Sequence, residues 1–326
     1  MAPSTTSAPK PAWAGDDWLS RLVNGLISIR PLYGLMKWQA RRVMIRTAER
    51  NGIPWRANVQ TLQGTIADLE RSRDRLTDPK LIYPDYYLKP FHAYEAGNLC
   101  WLAALEAASA TQVVGLRAWK GEPLQGTEGE EKLRRGFHEA LAPHLEAHGG
   151  PIARVLDVGC SVGLSTRSLH GYLTDRQGTA PTTFGLDLSP HMLAVAEALD
   201  RDRAIARWIH STAEAMPFST GHFDLVALQF IVHELPQRAT RAILAEAFRV
   251  LRPGGILAIT DNNPKSPVIQ NLPPALFVLM KSTEPWSDEF YTLDLEGAIA
   301  EAGFELRSVV PSDPRHRALV AVKPAA

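Results

Sequence analysis

After residue 150 the sequence alternates between short apolar runs and longer amphipathic stretches, and this alternation limits the fold more than any other feature. Helices are predicted over 164–174, 190–201, 238–251 and 293–302. The runs with the length and β-branched content of strands are IARVLDV, TTFGLDL, AIARWIH, FDLVALQF, GILAITD, FELRSVV and ALVAVK. Strands that alternate with helices form a parallel sheet with right-handed crossovers. The last two runs are too close together for a crossover helix, so we expect an antiparallel hairpin at one edge.

The residues before this alternation have a mostly helical period and no convincing strand pattern. Helical spacing of apolar residues is clearest in three stretches: 18–50, 59–76 and 99–119. The first fifteen residues, MAPSTTSAPKPAWAG, are rich in Ala, Pro, Ser and Thr, and they lack the apolar stretch of a secretory signal. We therefore predict three parts: a disordered N-terminus (1–15), a helical cap that holds the substrate (16–150) and an α/β core (151–326).

Composition excludes several classes of function. Lys plus Arg equals Asp plus Glu at 35 each, so no global field attracts nucleic acid, and nucleic acid is not an expected partner. Cys100 and Cys160 are the only cysteines, which fits a reducing compartment such as the cytoplasm. Neither has the spacing of a metal ligand, and no metal is expected. The chain also lacks a run of about 18 apolar residues that could span a membrane.

The first predicted strand runs into a glycine loop, VLDVGCSVGLST, which precedes a predicted helix. A turn of this kind brings backbone N–H groups and a helix N-terminus against a ligand. Asp157 lies two residues before Gly159 and would repel a diphosphate, whereas it would attract an ammonium group. Asp187 ends the second strand, where an acidic side chain can accept hydrogen bonds from ribose hydroxyls. These residues together favour a nucleoside that carries a cationic amino-acid tail.

The motifs DVGCSVG, GLDLSPHMLAVAE, TAEAMPFSTGHFDLVALQFIVHELP and LRPGG, in this order and spacing, resemble the successive motifs of class I S-adenosylmethionine (SAM) methyltransferases. The likeness covers residues 153–322 and is of the methyltransferase type 11, or UbiE-like, kind. It implies a Rossmann-like seven-stranded sheet whose last strand is antiparallel, with SAM as the cofactor. It also implies methylation of a small molecule.

The resemblance also implies a set of cofactor contacts at the carboxyl ends of the strands. The family usually has Asp at the position of Thr212, which carries no charge, so a backbone group of Ala213 is the alternative partner for the adenine. The implied contacts are Asp157, Gly159, Ser161 and Gly163 around the methionine moiety, Asp187 on the ribose, Leu188 and Met192 beside the adenine, Thr212, Ala213 and Glu214 after the third strand, and Gln229 and Phe230 beneath the sulfonium.

Aromatic residues are concentrated just before this core, in YPDYYLKPFHAYEAGNLCW at 83–101. This segment is predicted to run as a helix from about His92, and its rings either line the acceptor pocket or pack the cap onto the core. The fifth strand precedes a long loop with five prolines, over 261–294, that is also expected at the ligand crevice. Our candidate catalytic residues are His92, Tyr94 and His233, with Glu234 as a further possible base, and our candidate substrate contacts are Tyr86, Tyr87, Asn262 and His316.

Over nearly its whole length the sequence is similar to a methyltransferase group of plants and algae, often assigned to plastids, in YPDYYLKPFHAYEAGNLCW, TDNNPKSPVIQNLPP, MKSTEPWSDEFY and DPRHR. The likeness leaves both a cytoplasmic and a plastid location open. Residues 18–47 include six Lys or Arg and no acidic residue, so a peripheral contact with an anionic membrane is a third possibility. The predicted function is SAM-dependent methylation of a small molecule. The alternatives are a membrane-borne isoprenoid or quinone acceptor, or a SAM-binding regulatory protein without turnover.

Overall fold

The structure is a computed structural model that describes residues 10–11, 13–15, 21, 25, 30–92, 94–119 and 121–325. Most of the predicted N-terminal disorder and most of the basic stretch before residue 30 lie outside the described residues. Within the described part, no helix is long and apolar enough to cross a membrane.

Five helices whose bounds fall within the described residues precede the first strand: α1 (Arg30–Arg50), α2 (Trp55–Gln63), α3 (Ile66–Leu76), α4 (Trp101–Ala118) and α5 (Glu128–Ala147). Leu69 of α3 and Ala104 of α4 belong to one apolar cluster with Met192 and Val195 of the core. Acidic residues occupy the first turn of α5, where they interact favourably with the helix dipole. These contacts place α3 and α4 over the carboxyl-end side of the sheet.

The sheet has seven strands in the order β3-β2-β1-β4-β5-β7-β6. Strands β1 to β5 are parallel, and β7 is antiparallel to both of its neighbours. This arrangement confirms the predicted fold class, including the antiparallel last strand and the hairpin. The strands are β1 (Arg154–Val158), β2 (Thr182–Asp187), β3 (Arg207–His210), β4 (Phe223–Gln229), β5 (Leu251–Asn262), β6 (Glu305–Pro311) and β7 (His316–Val322).

Apolar clusters cover both faces of this sheet, which is why its central strands are apolar at almost every position. Helix α6 (Leu164–Gln177) lies on one face, and α8 (Gln237–Val250) lies on the other. Helix α5 also packs on the first face, because Phe137 and Leu141 join the cluster of Leu169. We predicted that the cap and the core divide at residue 150. Helix α5 lies before that boundary, but it packs on the sheet together with the core. The remaining helix between β2 and β3 is α7 (Pro190–Leu199).

The segment after β5, predicted as a long loop, instead contains three helices before α12 (Leu295–Glu301). They are α9 (Pro267–Gln270), α10 (Pro274–Thr283) and α11 (Ser287–Thr292). Its prolines do not prevent helix formation, because Pro267 and Pro274 begin α9 and α10, where the missing N–H costs no hydrogen bond. We refer to residues 263–294 as the β5 insertion.

Trp13, near the end of the segment predicted to be disordered, packs against the β5 insertion. Its side chain is 2% exposed and stacks on Phe277 of the β5 insertion at 5.7 Å between ring centroids. Trp13 Nε1 also donates to the carbonyl oxygen of Ile269 at 3.1 Å. The chain around Trp13, which precedes α1, therefore contacts the β5 insertion.

The helix predicted to start near His92 is also wrong, because α4 starts only at Trp101. His92 has a φ of +49°, which a helix does not contain, and it lies in a tight turn closed by a bridge between Phe91 and Tyr94. The backbone N–H of His92 donates to the carbonyl oxygen of Thr283 at 2.8 Å. The turn is thus tied to the end of α10, which joins the segment before α4 to the β5 insertion.

Candidate functional site

The loop between β1 and α6 requires glycine at two positions. Gly159 and Gly163 have φ values of +71° and +74°, which β-carbon-bearing residues rarely adopt. A β-carbon would also collide with the side chain of Ile231 at the first position and with the ring of Trp208 at the second. The loop consequently keeps its backbone N–H groups close to the carboxyl end of the sheet, in front of the N-terminus of α6.

Asp157 lies directly beneath this loop and is 1% exposed. Its Oδ2 accepts hydrogen bonds from the hydroxyls of Ser165 at 2.9 Å and Thr166 at 2.7 Å. Gln229 Nε2, at the end of β4, lies 3.3 Å from Asp157 Oδ1. Burial raises the pKa of Asp157, and these hydrogen bonds oppose the rise. Gln229 Oε1 is buried without a partner among the described residues, so it is available to a ligand.

Asp187 ends β2, the strand next to β1. Its Oδ2 accepts from the backbone N–H of Ser161 and its Oδ1 from that of Ser189, both at 2.8 Å. Burial raises the pKa of Asp187 to about 6, against the opposing effect of the backbone donors. The glycine loop and the start of α7 therefore hold the carboxylate in one orientation, with the group 8% exposed.

The aromatic segment docks across the ends of β3 and β4. The Tyr86 hydroxyl donates to Glu214 Oε1 at 2.6 Å, and Asp85 pairs with Arg238 at the start of α8. The Tyr83 oxygen lies 3.0 Å from Nε2 of His210, the last residue of β3.

Tyr87 lies near both the end of β2 and the 3-10 helix that follows β4. We call the region between these two elements the cleft. Its ring stacks on Tyr83 at 6.2 Å between centroids. Burial raises its pKa well above the usual value, and the charges of Asp187 and Glu234 raise it further. The Tyr87 side chain is thus near both the β2 carboxylate and the polar residues that follow β4.

Three polar side chains meet beyond the end of β4, two from the core and one from the segment before α4. His92, His233 and Glu234 each present a ring nitrogen or carboxylate oxygen, and these atoms all lie within 4.8 Å of one another. His92 Nε2 is 3.5 Å from Glu234 Oε1. We call these three residues the His-His-Glu group. Glu234 and His233 come from the short 3-10 helix Val232–Glu234 after β4, and His92 comes from the turn before α4.

Asp261, at the end of β5, orients His233. Its Oδ1 lies 2.8 Å from His233 Nδ1, and its Oδ2 accepts from the backbone N–H of His233 at 3.1 Å. Burial alone would lower the pKa of His233, but the Asp261 carboxylate raises it to about 10. Partial burial, and then the charge of His233, lowers the pKa of His92, whose side chain is 40% exposed. Burial raises the pKa of Glu234 to about 8.

Some predicted substrate and catalytic residues have other partners in the fold. The Tyr94 hydroxyl donates to Glu106 Oε2 at 2.7 Å, in a buried network on α4. Asn262 Oδ1 accepts from Arg315 Nε at 2.9 Å. His316 Nδ1 lies 2.8 Å from Asp313 Oδ2, and its ring meets the edge of Phe230 at 5.0 Å between centroids. None of these polar bonds reaches the His-His-Glu group.

The predicted residues beside the adenine lie along the end of β2 and the first turn of α7. The carbonyl oxygen of Leu188 lies 3.0 Å from His210 Nε2. Met192 and Ala213 are buried, whereas Thr212 is half-buried. Met192 Sδ is 3.6 Å from the Ser161 hydroxyl, so these residues border the loop that holds Asp187.

Sequence reasoning missed Glu284, at the end of α10. Burial raises its pKa, and the charge of His233 opposes the rise most strongly. Glu284 Oε2 is buried without a hydrogen-bond partner among the described residues. No local motif could reveal this residue, because its position depends on how the β5 insertion folds back over the sheet.

The fold and the two aspartates define an α/β nucleotide-binding core of the doubly wound type. The family model described as "Methyltransferase domain" matches residues 156–259. An uncharacterized methyltransferase of Synechocystis sp. is 31% identical over 205 residues, which cover 63% of this chain and 82% of the relative. The chain therefore belongs to the class I SAM-dependent methyltransferases, and SAM is its cofactor.

Two further matches cover a smaller part of this chain than the Synechocystis relative does. A demethylmenaquinone methyltransferase of Lactococcus lactis is 29% identical over 145 residues, and the chain spans about half of that relative, 54% of its length. A solved SAM dependent methyltransferase from Aquifex aeolicus is 19% identical with a TM-score of 0.42, and the match covers 57% of this chain and 89% of that chain.

Proposed function

We propose that this protein methylates a small molecule that binds between the helical cap and the β5 insertion. The observation that carries the proposal is the position of His233 and Glu234 directly after β4, the strand whose last residue, Gln229, contacts Asp157. Tyr87 is close to the charges of both sides, Asp187 and Glu234. A cofactor on one side and an acceptor on the other would therefore meet in the cleft.

The residues of the core fit the cofactor. Asp187 would accept hydrogen bonds from the ribose hydroxyls, since its carboxylate is held in one orientation by Ser161 and Ser189. Asp157 and the glycine loop would hold the methionine moiety, and the free Gln229 Oε1 is a further acceptor for its ammonium group. Glu214 Oε2 is also buried without a partner among the described residues, which supports a polar ligand near the end of β3.

In this proposal His92, His233 and Glu234 contact the nucleophilic atom of the acceptor molecule. SAM supplies an electrophilic methyl carbon, so the acceptor's lone pair forms the new bond while the carbon–sulfur electron pair returns to the sulfonium. This chain's contribution is orientation and exclusion of water, which together account for a large part of such catalysis. Tyr87 and the docked aromatic segment would close the cleft over the two reactants.

A second acceptor class, a lipophilic isoprenoid or quinone, is supported by the surface of α1. Trp38 is 55% exposed and Val43 is 37% exposed on this helix. The guanidinium of Arg42 lies over the Trp38 ring at 4.9 Å. A basic and aromatic surface of this kind suits contact with an anionic bilayer. The relative from Lactococcus lactis is named a demethylmenaquinone methyltransferase, and that name likewise specifies a quinone precursor as its substrate.

Transfer of a labelled methyl group tests the proposal. The full chain is incubated with methyl-labelled SAM and a metabolite extract, and the labelled products are separated into aqueous and organic phases. We expect a labelled small molecule that is absent with Asp187→Ala, and a product in the organic phase would select the lipophilic class. Tight SAM binding without any labelled product would instead indicate a regulatory protein without turnover.

A further inference from the structure

We propose that the His-His-Glu group binds one divalent transition-metal ion, which holds an ionisable oxygen of the acceptor. The proposal rests on the methyl transfer proposed above and specifies its acceptor class as a phenol, enol or similar oxygen acid. It begins from donor chemistry, because two imidazoles and one carboxylate suit Zn²⁺, Fe²⁺ and Mn²⁺ better than they suit Mg²⁺ or Ca²⁺.

The distances support a common ion. Nitrogen and oxygen ligands lie about 2.1 Å from zinc, so two ligands of one ion are roughly 3.0 to 4.2 Å apart. His92 Nε2 and Glu234 Oε1 are 3.5 Å apart, and the three donor atoms lie within 4.8 Å of one another. Small side-chain rotations therefore suffice to bring all three donors to one ion.

Asp261 supplies the outer support that metal-binding histidines usually have. A ligating histidine commonly gives its second ring N–H to a carboxylate, which fixes the tautomer and the ring orientation. His233 Nδ1 lies 2.8 Å from Asp261 Oδ1, so Nε2 is the nitrogen for a metal, which would displace the proton that Asp261 otherwise stabilises on the ring. Asp261 is itself fixed, because it also accepts from the backbone N–H groups of His233 and Asn262.

The local charge balance also favours a cation. Glu234, Asp261 and Glu284 place three carboxyl groups close to His233. These carboxyl groups would attract one divalent ion, which would offset the cost of burying them in their ionised form. The same carboxylates would reduce the repulsion between that ion and a nearby sulfonium.

His92 completes the group from a different part of the chain. Its φ of +49° is uncommon for a residue with a side chain, and such conformations are concentrated at functional sites. Its backbone N–H is held by the Thr283 carbonyl oxygen, so the end of α10 fixes the turn beside the 3-10 helix. With three protein ligands, the ion would keep open positions for the acceptor oxygen. Coordination would promote loss of the hydroxyl proton to water before the oxygen attacks the methyl carbon.

Metal binding by the full chain tests the proposal directly. The protein is stripped with a chelator, desalted and titrated with Zn²⁺ by calorimetry and with Co²⁺ by visible absorption. We expect one ion per chain, with at least a tenfold weaker affinity for His92→Ala and for Glu234→Gln. Asp261→Asn should weaken binding roughly 10- to 100-fold, because it disturbs the orientation of His233.

The matched control is His148→Ala, since His148 lies beyond α5 and bonds to Gly150 and Arg252. It should bind the metal as the parent chain does, and circular dichroism and SAM affinity report whether each variant is folded. Absence of stoichiometric binding, or an unchanged affinity in both His92→Ala and Glu234→Gln, would overturn the metal site. A parent chain that binds SAM and transfers methyl groups without a metal overturns this inference alone. A chain that binds no SAM overturns the proposed function as well.

Discussion

At the scale of single residues, the ionisation of Asp187 gives a testable property of cofactor binding. Burial raises its pKa to about 6, and only the carboxylate form can accept from two ribose hydroxyls. SAM affinity should therefore be constant above pH 7 and fall as protonation removes the charge, by about tenfold per pH unit well below the pKa. Calorimetric dissociation constants between pH 5 and 8 measure this dependence.

Asp187→Asn is the control for that pH series. The amide keeps the size of the side chain but does not titrate, so its SAM affinity should be roughly 10- to 100-fold weaker and nearly independent of pH. If the parent chain and Asp187→Asn lose affinity in parallel at low pH, a different group is responsible.

Residues of the glycine loop could be placed from the sequence because they are local to one turn. Asp157 and Asp187 end neighbouring parallel strands, so their proximity follows from the order of the sheet. The partners of Tyr94 and Asn262 could not be predicted, because Glu106 and Arg315 reach them only after tertiary packing. The roles assigned to the site residues remain predictions.

At the scale of secondary-structure elements, the hydroxyl of Tyr86 is central to how the aromatic segment docks on the core. Tyr86 is 5% exposed, and its hydroxyl donates to Glu214 at 2.6 Å. Tyr86→Phe would leave the half-buried Glu214 carboxylate without this donor, so we expect a loss of about 1 to 3 kcal/mol in the free energy of unfolding. Chemical denaturation followed by fluorescence measures the change.

Arg238→Gln provides the comparison, since Arg238 pairs with Asp85 on the surface of the same segment. Exposed ion pairs contribute little to stability, so this variant should lose less than Tyr86→Phe does. Equal losses of unfolding free energy in the two variants would show that the Tyr86–Glu214 hydrogen bond stabilises the docked segment no more than the surface ion pair does.

The strands and helices of the core were predictable because each has a strong apolar pattern of its own. The β5 insertion was not, because α9 and α11 have only four and six residues. Helices this short do not form from intrinsic preference, and they depend on packing against the rest of the chain. Trp13 supplies such packing from a distant part of the sequence, where it contacts Phe277 and Tyr291 of the insertion.

At the scale of the whole molecule, the segment before α4, the core and the β5 insertion meet around the His-His-Glu group. Helix α5 packs on the sheet, the aromatic segment spans the ends of β3 and β4, and the β5 insertion contacts the turn at His92. The sequence predicted the class of fold and the cofactor, since these follow from local motifs. It could not predict that His92 meets His233 and Glu234, because those residues are far apart in the chain.

A crystal structure of the full chain with S-adenosylhomocysteine tests the central claim most directly. We expect the ribose hydroxyls to bond to Asp187 and the thioether sulfur to face the cleft between Tyr87 and the His-His-Glu group. Because the acceptor must approach the methyl carbon in line with the carbon–sulfur bond, that bond direction should point toward His92, His233 and Glu234. A ribose bound away from Asp187, or a sulfur that faces away from these three residues, would contradict the account.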